Sequence, residues 1–321
     1  MNNLSVAMIF FNRPEKFQQT FNRVRQAKPS KLFLIQDGPR NDNDKKKIEE
    51  CRKITEQVDW ECEVFKNFSD VNLGCGVRPY SGITWAFEHT DRLIILEDDC
   101  CPDMTFFDFA GNMLEKYKDD QRVGIVSGYN YFGKYDFGGY DYGFVKSGAI
   151  WGWATWKDRW DKYDYFAKSI KNEYIEKSLE LDVAVKRHYS LERIKTWHQA
   201  YSDANTKEKI SYWDYQWGLC RHINSYLAVV PAGNLINNIG VTGGATHESD
   251  VYLLPKDLRK VVTAEINPYK KNKEPDFVLA NRQYDNDYYA IVYPTPIKLF
   301  KNRVLKLFKI IYKKLLSLFG K

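Results

Sequence analysis

The sequence predicts an α/β fold in which a mostly parallel, Rossmann-like sheet lies between layers of helices. Two patterns indicate this class. Along the first part of the chain, short apolar runs alternate with longer segments whose apolar residues recur at helical spacing. The runs contain few polar residues, which is typical of parallel strands that helices cover on both faces. A chain of 321 residues is also long enough to bury a large core.

The alternation can be followed element by element. The run SVAMIFF ends at Asn12-Arg13-Pro14, and a proline at this place favours the first turn of a helix. The run RLIIL at residues 92–96 is too short for a helix and is placed like a central strand. Strands are predicted at 5–11, 31–36, 62–65, 92–96, 123–127 and 226–230, and helices after Pro14 and at about 44–58, 78–89, 104–118 and 180–205.

The second half of the chain is richer in glycine and aromatic residues, beginning with GYNYFGKYDFGGYDYGF at residue 128. No linker marks a second independent domain, so we expect this half to build the other wall of a cleft. Residues 255–290 are charged, and we expect many loops there. The predicted organisation is one catalytic domain over residues 1–290 and a tail over 291–321.

The tail is basic and amphipathic. Residues 297–321 carry eight lysines and arginines and no acid, so the formal net charge of +6 leaves −2 for the rest of the chain. Their apolar residues recur at helical spacing, which predicts a helix lying on an anionic membrane surface. Packing on the domain or on a second protomer is the alternative. Basic groups confined to one end argue against nucleic-acid binding, and the oligomeric state is not indicated.

The six cysteines include no CxxC pair, and the first residues lack the charged and apolar regions of a secretion signal. We expect free thiols and a cytoplasmic protein. No apolar run reaches the roughly 18 residues that a spanning helix needs. With the tail, this predicts peripheral association with the inner face of the cell membrane.

Three consecutive acids, Glu97-Asp98-Asp99, follow the predicted central strand. Ligands of open α/β sheets bind outside the carboxyl ends of the strands, so the triplet is placed where chemistry is expected. Carboxylate oxygens bind hard divalent cations, which can stabilise a leaving diphosphate. The alternative is that these acids only end a strand and begin a loop.

The segment LIILEDDCCPDMTFFDF resembles the acidic metal motif of GT-A fold glycosyltransferases of the N-acetylglucosaminyltransferase I type and related bacterial sugar transferases. The resemblance implies a GT-A fold, a nucleotide-sugar donor and Mn²⁺ or Mg²⁺. It implies that Asp99 is the direct metal ligand, and that Glu97 and Asp98 contact the nucleotide-sugar or the water shell of the metal.

Further segments resemble that family in the same order. FFNRPEKF is similar to its first strand and turn, which implies that Arg13 approaches the diphosphate, and IQDG implies that Asp37 accepts the imide N–H of the base. In NLGCGVRPYSGITWAF, Arg78 is expected near the nucleotide, although the family's histidine there has no counterpart. The alternatives are a surface arginine beside a turn for Arg13 and an Asp-Gly turn for Asp37.

Two aromatic segments also resemble the family. Trp151-Gly152-Trp153 implies a floor under the donor sugar and acceptor, with a buried aromatic cluster as the alternative. WDYQW implies that Asp214 opens a helix and is the catalytic base that deprotonates the acceptor hydroxyl in an inverting transfer. An N-cap role for Asp214 is the alternative.

The segment NNIGVTGGATH at residues 237–247 resembles a loop that closes over the nucleotide-sugar, which implies that His247 contacts the diphosphate or the metal. An ordinary surface or core histidine is the alternative.

The sequence therefore predicts a metal-dependent, inverting glycosyltransferase. UDP-sugars are the donors that the resemblance favours. The acceptor is expected to be a glycan or a lipid-linked glycan of bacterial surface polysaccharide assembly, because the tail suggests a membrane. A nucleotidyltransferase, a glycoside hydrolase and a non-catalytic carbohydrate-binding or membrane-associated protein are the alternatives. The first of these normally has a glycine-rich phosphate loop near its N-terminus, which FFNRPEKF lacks.

Overall fold

The computed structural model describes residues 4–182, 186–242, 248–302 and 304–305. Ten strands are found in this part of the chain. They are β1 (Ser5–Phe10), β2 (Lys31–Gln36), β3 (Glu63–Phe68), β4 (Arg92–Glu97), β5 (Cys100–Pro102), β6 (Val123–Ser127), β7 (Tyr142–Val145), β8 (Trp153–Trp156), β9 (Leu227–Pro231) and β10 (Ile236–Asn238).

Helices connect most of these strands. They are α1 (Pro14–Ala27), α2 (Asp42–Thr55), α3 (Gly74–Ala86), α4 (Thr105–Lys116), α5 (Lys157–Trp160), α6 (Glu173–Glu180), α7 (Arg187–Thr206), α8 (Asp214–Ile223), α9 (Ile239–Thr242), α10 (Glu248–Leu253), α11 (Lys256–Val262) and α12 (Arg282–Val292), with a 3₁₀ turn at Lys168–Lys171. Residues 296–302 are also helical. Most of the predicted tail helix, residues 303 and 306–321, lies outside the described residues.

Eight strands form one sheet in the order β3-β2-β1-β4-β8-β6-β9-β7. The β1–β2, β1–β4, β2–β3 and β6–β9 pairs are parallel, whereas β7 and β8 run antiparallel to their neighbours. The predicted α/β class with a mostly parallel sheet flanked by helices is confirmed.

The core lies in two layers, one on each face of the sheet. Alternate residues of β1 enter opposite layers: Val6, Met8 and Phe10 pack on one face, and Ala7 and Ile9 on the other. This is the alternation that a strand covered on both faces requires. Helices α1 and α4 supply much of the first layer, whereas α3 and α8 contribute to the second.

The sequence did not predict β5, β7, β8 and β10. Strand β8 lies between β4 and β6 and pairs antiparallel with both, so the aromatic second half joins the first half in one sheet. Strand β7 pairs antiparallel with β9 at the sheet edge. The region of residues 255–290 also holds α11 and most of α12, where many loops were expected.

A small second sheet carries the chain beside the acidic triplet. Strand β5, directly after the triplet, pairs antiparallel with β10, and Ile239 N donates to Asp99 O at 2.9 Å. Gly240 packs so closely that a Cβ there would lie 2.2 Å from Asp99 Oδ2. The beginning of the loop at 237–247 is therefore fixed against Asp99.

Candidate active site

A cavity of about 390 Å³ opens where β1, β2 and β4 end. This is the edge at which α/β sheets bind ligands, and its volume is in the range of small-molecule sites. Five separate segments contribute to the wall, the last being residues 209–211. The lining residues are Ile9, Phe10, Phe11, Arg13, Asp37, Arg40, Asn72, Gly74, Cys75, Arg78, Pro79, Glu97, Asp98, Lys209, Ile210 and Ser211.

Arg13 links the start of α1 to the acidic triplet. Its Nη1 donates to Asp99 Oδ2 at 2.9 Å, its Nε donates to Asp98 Oδ2 at 3.2 Å, and its Nη2 pairs with Asp98 Oδ1. The Arg13 side chain remains 42% exposed, whereas that of Asp98 is 2% exposed. Asp98 therefore fixes the guanidinium from below and leaves part of it facing the cleft.

The three acids outnumber the single cation among them. Burial, together with the carboxylates of Asp99 and Asp98, raises the pKa of Glu97 to about 8. Burial also raises the pKa of Asp98 to about 6, against the effect of Arg13. Burial disfavours the charge of Arg13, but Asp98 and Asp99 together raise its pKa above the ordinary value. Further positive charge at the triplet would relieve this repulsion.

Of the three acids, Asp99 has the carboxylate that fits a divalent cation. The Asp99 side chain is 15% exposed, and among the described residues its side-chain hydrogen bonds are those with Arg13 and with the weak thiol donor of Cys100 at 3.7 Å. Among the described residues, no group of three histidines, cysteines or acids is arranged to hold a metal. Mg²⁺ and Mn²⁺ accept such a site, because phosphate and water oxygens complete their coordination. His247, the other predicted ligand, lies outside the described residues.

Asp37 holds the loop that precedes α3. Its Oδ1 accepts from Gly38 N at 2.9 Å and Leu73 N at 2.8 Å, and its Oδ2 accepts from Gly74 N at 2.8 Å and Asn72 Nδ2 at 3.0 Å. These four donors fill the usual acceptor positions of a carboxylate. Base recognition by Asp37 stays a prediction, and it requires one of these donors to be displaced.

Arg78 lies beneath the same cavity and is 4% exposed. Its Nε donates to Gln36 O at 3.1 Å, and its Nη2 donates to Asn67 O and Asn67 Oδ1. Burial lowers its pKa, and in the described part of the chain no carboxylate lies within ion-pair distance. Arg78 thus joins the ends of β2 and β3 and adds positive charge to the pocket, and its place near a nucleotide stays a prediction.

The two tryptophans of the WGW segment differ in accessibility. Trp153 is 1% exposed and packs against Trp160, Trp213 and Trp217, with the Trp213 ring stacked at 5.8 Å. It presents no face to a ligand, so the prediction that it forms a sugar floor is corrected: Trp153 belongs to the core. Trp151 is partly exposed, its ring perpendicular to Tyr129 at 4.9 Å.

Asp214 is the first residue of α8, as the sequence predicted, and is partly buried. Trp213 occupies the N-cap position and makes no side-chain cap bond, so the N-cap alternative for Asp214 is wrong. Burial raises the pKa of Asp214, and the N–H groups of Asp214 and Tyr215 and the charge of Arg221 lower it. The carboxylate of Asp214 in turn makes a small contribution to the raised pKa of Glu97.

A second cavity, of about 170 Å³, is lined in part by Asp214. The sequence gave no indication of it, because its residues come from distant segments without a local motif. They are Tyr131, Ser147, Gly148, Ile150, Arg193, Thr196, Trp197, Asp214, Tyr215, Gly218, Arg221, His222, Tyr288, Tyr289 and Tyr293. Asp214 thus belongs to a cavity lined in large part by tyrosines and arginines and is not among the residues that line the first cavity.

The six cysteines are all free, as expected. Among the described residues, no helix has the length and hydrophobicity needed to cross a bilayer.

Comparison with known proteins gives distant structural similarity only. No protein-family model matches the chain, and no curated protein matches it. A UDP-glucose pyrophosphorylase complexed with UDP-glucose aligns over 78% of this chain and 98% of its own, at 8% identity and a TM-score of 0.38. The inositol-1-phosphate CTP transferase from T. maritima aligns over 81% and 95%, at 10% identity and 0.40.

A 4-diphosphocytidyl-2C-methyl-D-erythritol synthase from Anaerococcus prevotii aligns over 70% of this chain and 99% of its own, at 11% identity and a TM-score of 0.31. Similarities this distant carry no argument about activity. The functional case therefore rests on the residues of the site.

Proposed function

We propose that this protein is a metal-dependent, inverting glycosyltransferase that uses a nucleoside diphosphate sugar. One observation carries the proposal: Arg13, whose partly exposed side chain lines the 390 Å³ cavity, lies with its Nη1 2.9 Å from the carboxylate of Asp99. A guanidinium that forms paired bonds to phosphate and a carboxylate that can bind a cation are the two groups that a diphosphate requires.

On the nucleotide side, each residue of the site has a different proposed role. Asp98 holds Arg13 in place, so the guanidinium reaches the diphosphate without reorganising. Asp99 would hold Mn²⁺ or Mg²⁺, which supplies positive charge to the leaving diphosphate. Glu97 lines the cavity between Asp98 and the region of Asp214, where the donor sugar would lie. Arg78 contributes positive charge from beneath the cavity.

Asp214 is assigned as the base because its partly buried carboxylate lines the second cavity and acts electrostatically on Glu97, which lines the first. Its ionised carboxylate would accept the proton of the acceptor hydroxyl as that oxygen attacks the anomeric carbon opposite the leaving diphosphate. This arrangement inverts the anomeric configuration. Trp151, partly exposed, is the aromatic residue of the WGW segment that can still contact a sugar.

A nucleotidyltransferase would use the same sheet edge. The turn between β1 and α1 is Phe11-Asn12-Arg13, which contains no glycine and directs a side chain, not a row of backbone N–H groups, toward the cleft. Glycosyl transfer is therefore the better fit to this turn.

The proposed setting is the membrane surface, with a glycan or lipid-linked acceptor of bacterial surface polysaccharide assembly. Residues 1–290 would be the catalytic domain, and the tail would bind anionic lipid through residues 297–321. At the start of this segment, Ile297 and Phe300 are 84% and 70% exposed, and Lys298 Nζ pairs with Asp257 at 2.9 Å. The apolar side chains are thus available to a membrane.

Calorimetric titration with UDP, with and without Mn²⁺, tests the nucleotide side. UDP is expected to bind with Mn²⁺ present and at least about tenfold more weakly without it, because the cation joins Asp99 to the diphosphate. Asp99→Asn should abolish the Mn²⁺ effect, whereas the exposed control Asp119→Asn should retain it. Equal UDP binding by Asp99→Asn and wild type in Mn²⁺ would exclude Asp99 as the ligand.

A further inference from the structure

The cavity beside Asp214 is lined by two arginines that are almost completely buried. Arg193 on α7 is 4% exposed and Arg221 on α8 is 8% exposed. Arg221 Nη1 donates to Gly148 O at 2.8 Å. Arg193 Nη1 contacts Tyr289 Oη at 3.0 Å and the His222 ring.

The remaining buried N–H groups lack acceptors. Among the described residues, Arg193 Nε, Arg193 Nη2 and Arg221 Nε have no hydrogen-bond partner. A buried donor without an acceptor destabilises a fold by about 1–3 kcal/mol, and more when the group is charged. These donors belong to two arginines that line one cavity, and unpaired buried donors of this kind mark a place that an ion, a ligand or a water can fill.

The charges around the cavity leave Arg221 uncompensated. The carboxylates near Arg193 are Asp182, 3.9 Å from its Nη2, and Asp285, which accepts from the N–H groups of Lys146 and Ser147. In the described part of the chain, no carboxylate lies within ion-pair distance of Arg221, and Asp214 influences it only from farther away. His222 is neutral, since burial and the two arginines lower its pKa.

Helix α8 aligns these groups on one face. Asp214, Gly218 and Arg221 stand at positions i, i+4 and i+7, and all three line the cavity. The helix separates the Cα atoms of the first and last by about 10 Å, and glycine leaves the space between them open. Tyr131 stacks on Tyr288 with ring centroids 3.9 Å apart and adds an aromatic wall.

We propose that this cavity binds the acceptor and that the acceptor carries an anionic group, a carboxylate or a phosphate, close to the hydroxyl that reacts. Arg221, with Arg193, receives the anion through paired N–H donors. The hydroxyl lies at Asp214, one monosaccharide away along α8. This inference rests on the proposed function, because it takes Asp214 as the base.

Calorimetric titration of the full chain, with UDP and Mn²⁺ present, tests the preference for an anion. The probes are methyl β-D-glucuronide, glucose 1-phosphate and the neutral methyl β-D-glucoside. At least one charged probe is expected to bind about tenfold or more tightly than the glucoside. Tighter binding of the glucuronide identifies an acidic sugar as the source of the anion, and tighter binding of glucose 1-phosphate identifies a phosphate.

Three substitutions locate the effect in this cavity. Arg221→Gln should abolish the preference, and Arg221→Lys, which keeps the charge, should retain part of it. Gly218→Ala should weaken the binding of all three probes, because the added Cβ would fill the groove. The Cβ would lie 3.7 Å from Trp197 Nε1, an ordinary contact distance, so the helix should tolerate it. UDP binding should be unchanged in all three variants.

Equal binding of the three probes, or a preference that survives Arg221→Gln, would overturn the inference and leave the UDP result untouched. Failure of the proposed function would appear instead as loss of Mn²⁺-dependent UDP binding in wild type.

Discussion

The two cavities differ in how their polar groups are paired. In the first, the proposed nucleotide side, Arg13 is paired with Asp98 and Asp99, and Asp37 with four donors. In the second, the proposed acceptor side, Arg221 and Arg193 are buried with N–H groups that have no acceptor among the described residues. The arginine of the first cavity is therefore paired with carboxylates of the protein, whereas those of the second leave donors to which the proposed anion would supply acceptors.

Replacing the base should separate the two sides most strongly. Asp214→Asn is expected to lower kcat by about 10²–10⁴-fold, because proton transfer is lost, and to leave UDP affinity unchanged. Nucleoside diphosphate release and UDP titration measure the two effects. The exposed control Asp276→Asn should change neither. A kcat within about threefold of wild type for Asp214→Asn would remove it from the mechanism.

Substitution of Trp153 tests whether the second cavity depends on the core beneath it. Trp153→Ala should lower the free energy of unfolding by about 3–5 kcal/mol, because a fully buried indole is removed beneath α8. Trp151→Ala, at a partly exposed site, should cost less stability and should weaken sugar binding instead. Chemical denaturation and sugar titration measure both. A larger loss of stability for Trp151→Ala would contradict the assignment of Trp153 to the core.

Substitution of Asp37 is the corresponding test of stability on the nucleotide side. Asp37→Asn replaces one acceptor oxygen by an amide donor, so at least one N–H of the loop before α3 loses its partner. The expected loss in the free energy of unfolding is about 1–3 kcal/mol. Asp99→Asn, which relieves repulsion within the triplet, should leave stability unchanged or raise it. Denaturant unfolding measures the stability of both variants. Equal losses in the free energy of unfolding would contradict the different roles of Asp37 and Asp99.

The pH dependence of the reaction should reflect the burial of Asp214. Since burial raises the pKa of this carboxyl, its reactive ionised form is lost at a higher pH than for an exposed aspartate. The acidic limb of kcat/KM should therefore lie above about pH 3.9. Arg221→Gln removes a cation that lowers this pKa and should move the limb to still higher pH. A limb that stays at the wild-type pH in Arg221→Gln would show that the two groups are not coupled.

The sequence predicted the nucleotide side better than the second cavity, for a physical reason. Glu97-Asp98-Asp99 and Arg13 follow directly after buried strands, and the ends of parallel strands meet at one edge of a sheet. The apolar runs therefore located both the fold and these residues. Asp214, at the start of its helix, was found because it stands within a distinctive aromatic segment.

Other features depend on contacts between distant segments. Strand β8 enters the sheet between β4 and β6, far from β4 in sequence, and no local pattern specifies that position. Arg193 and Arg221 lie in helices that carry no local motif, so only the packing shows that they are buried and that some of their N–H groups lack acceptors among the described residues. The motif IQDG likewise gives no indication of the four groups that donate hydrogen bonds to Asp37.

Analysis of the phosphorus-containing product tests the central claim most directly. The protein would be incubated in Mn²⁺ with UDP-, GDP- and dTDP-sugars, and separately with nucleoside triphosphates and sugar 1-phosphates, and the products followed by phosphorus NMR. The account predicts release of a nucleoside diphosphate from at least one sugar donor, lost in Asp214→Asn. Release of pyrophosphate from a triphosphate and a sugar 1-phosphate, at a rate that Asp214→Asn does not change, would contradict it.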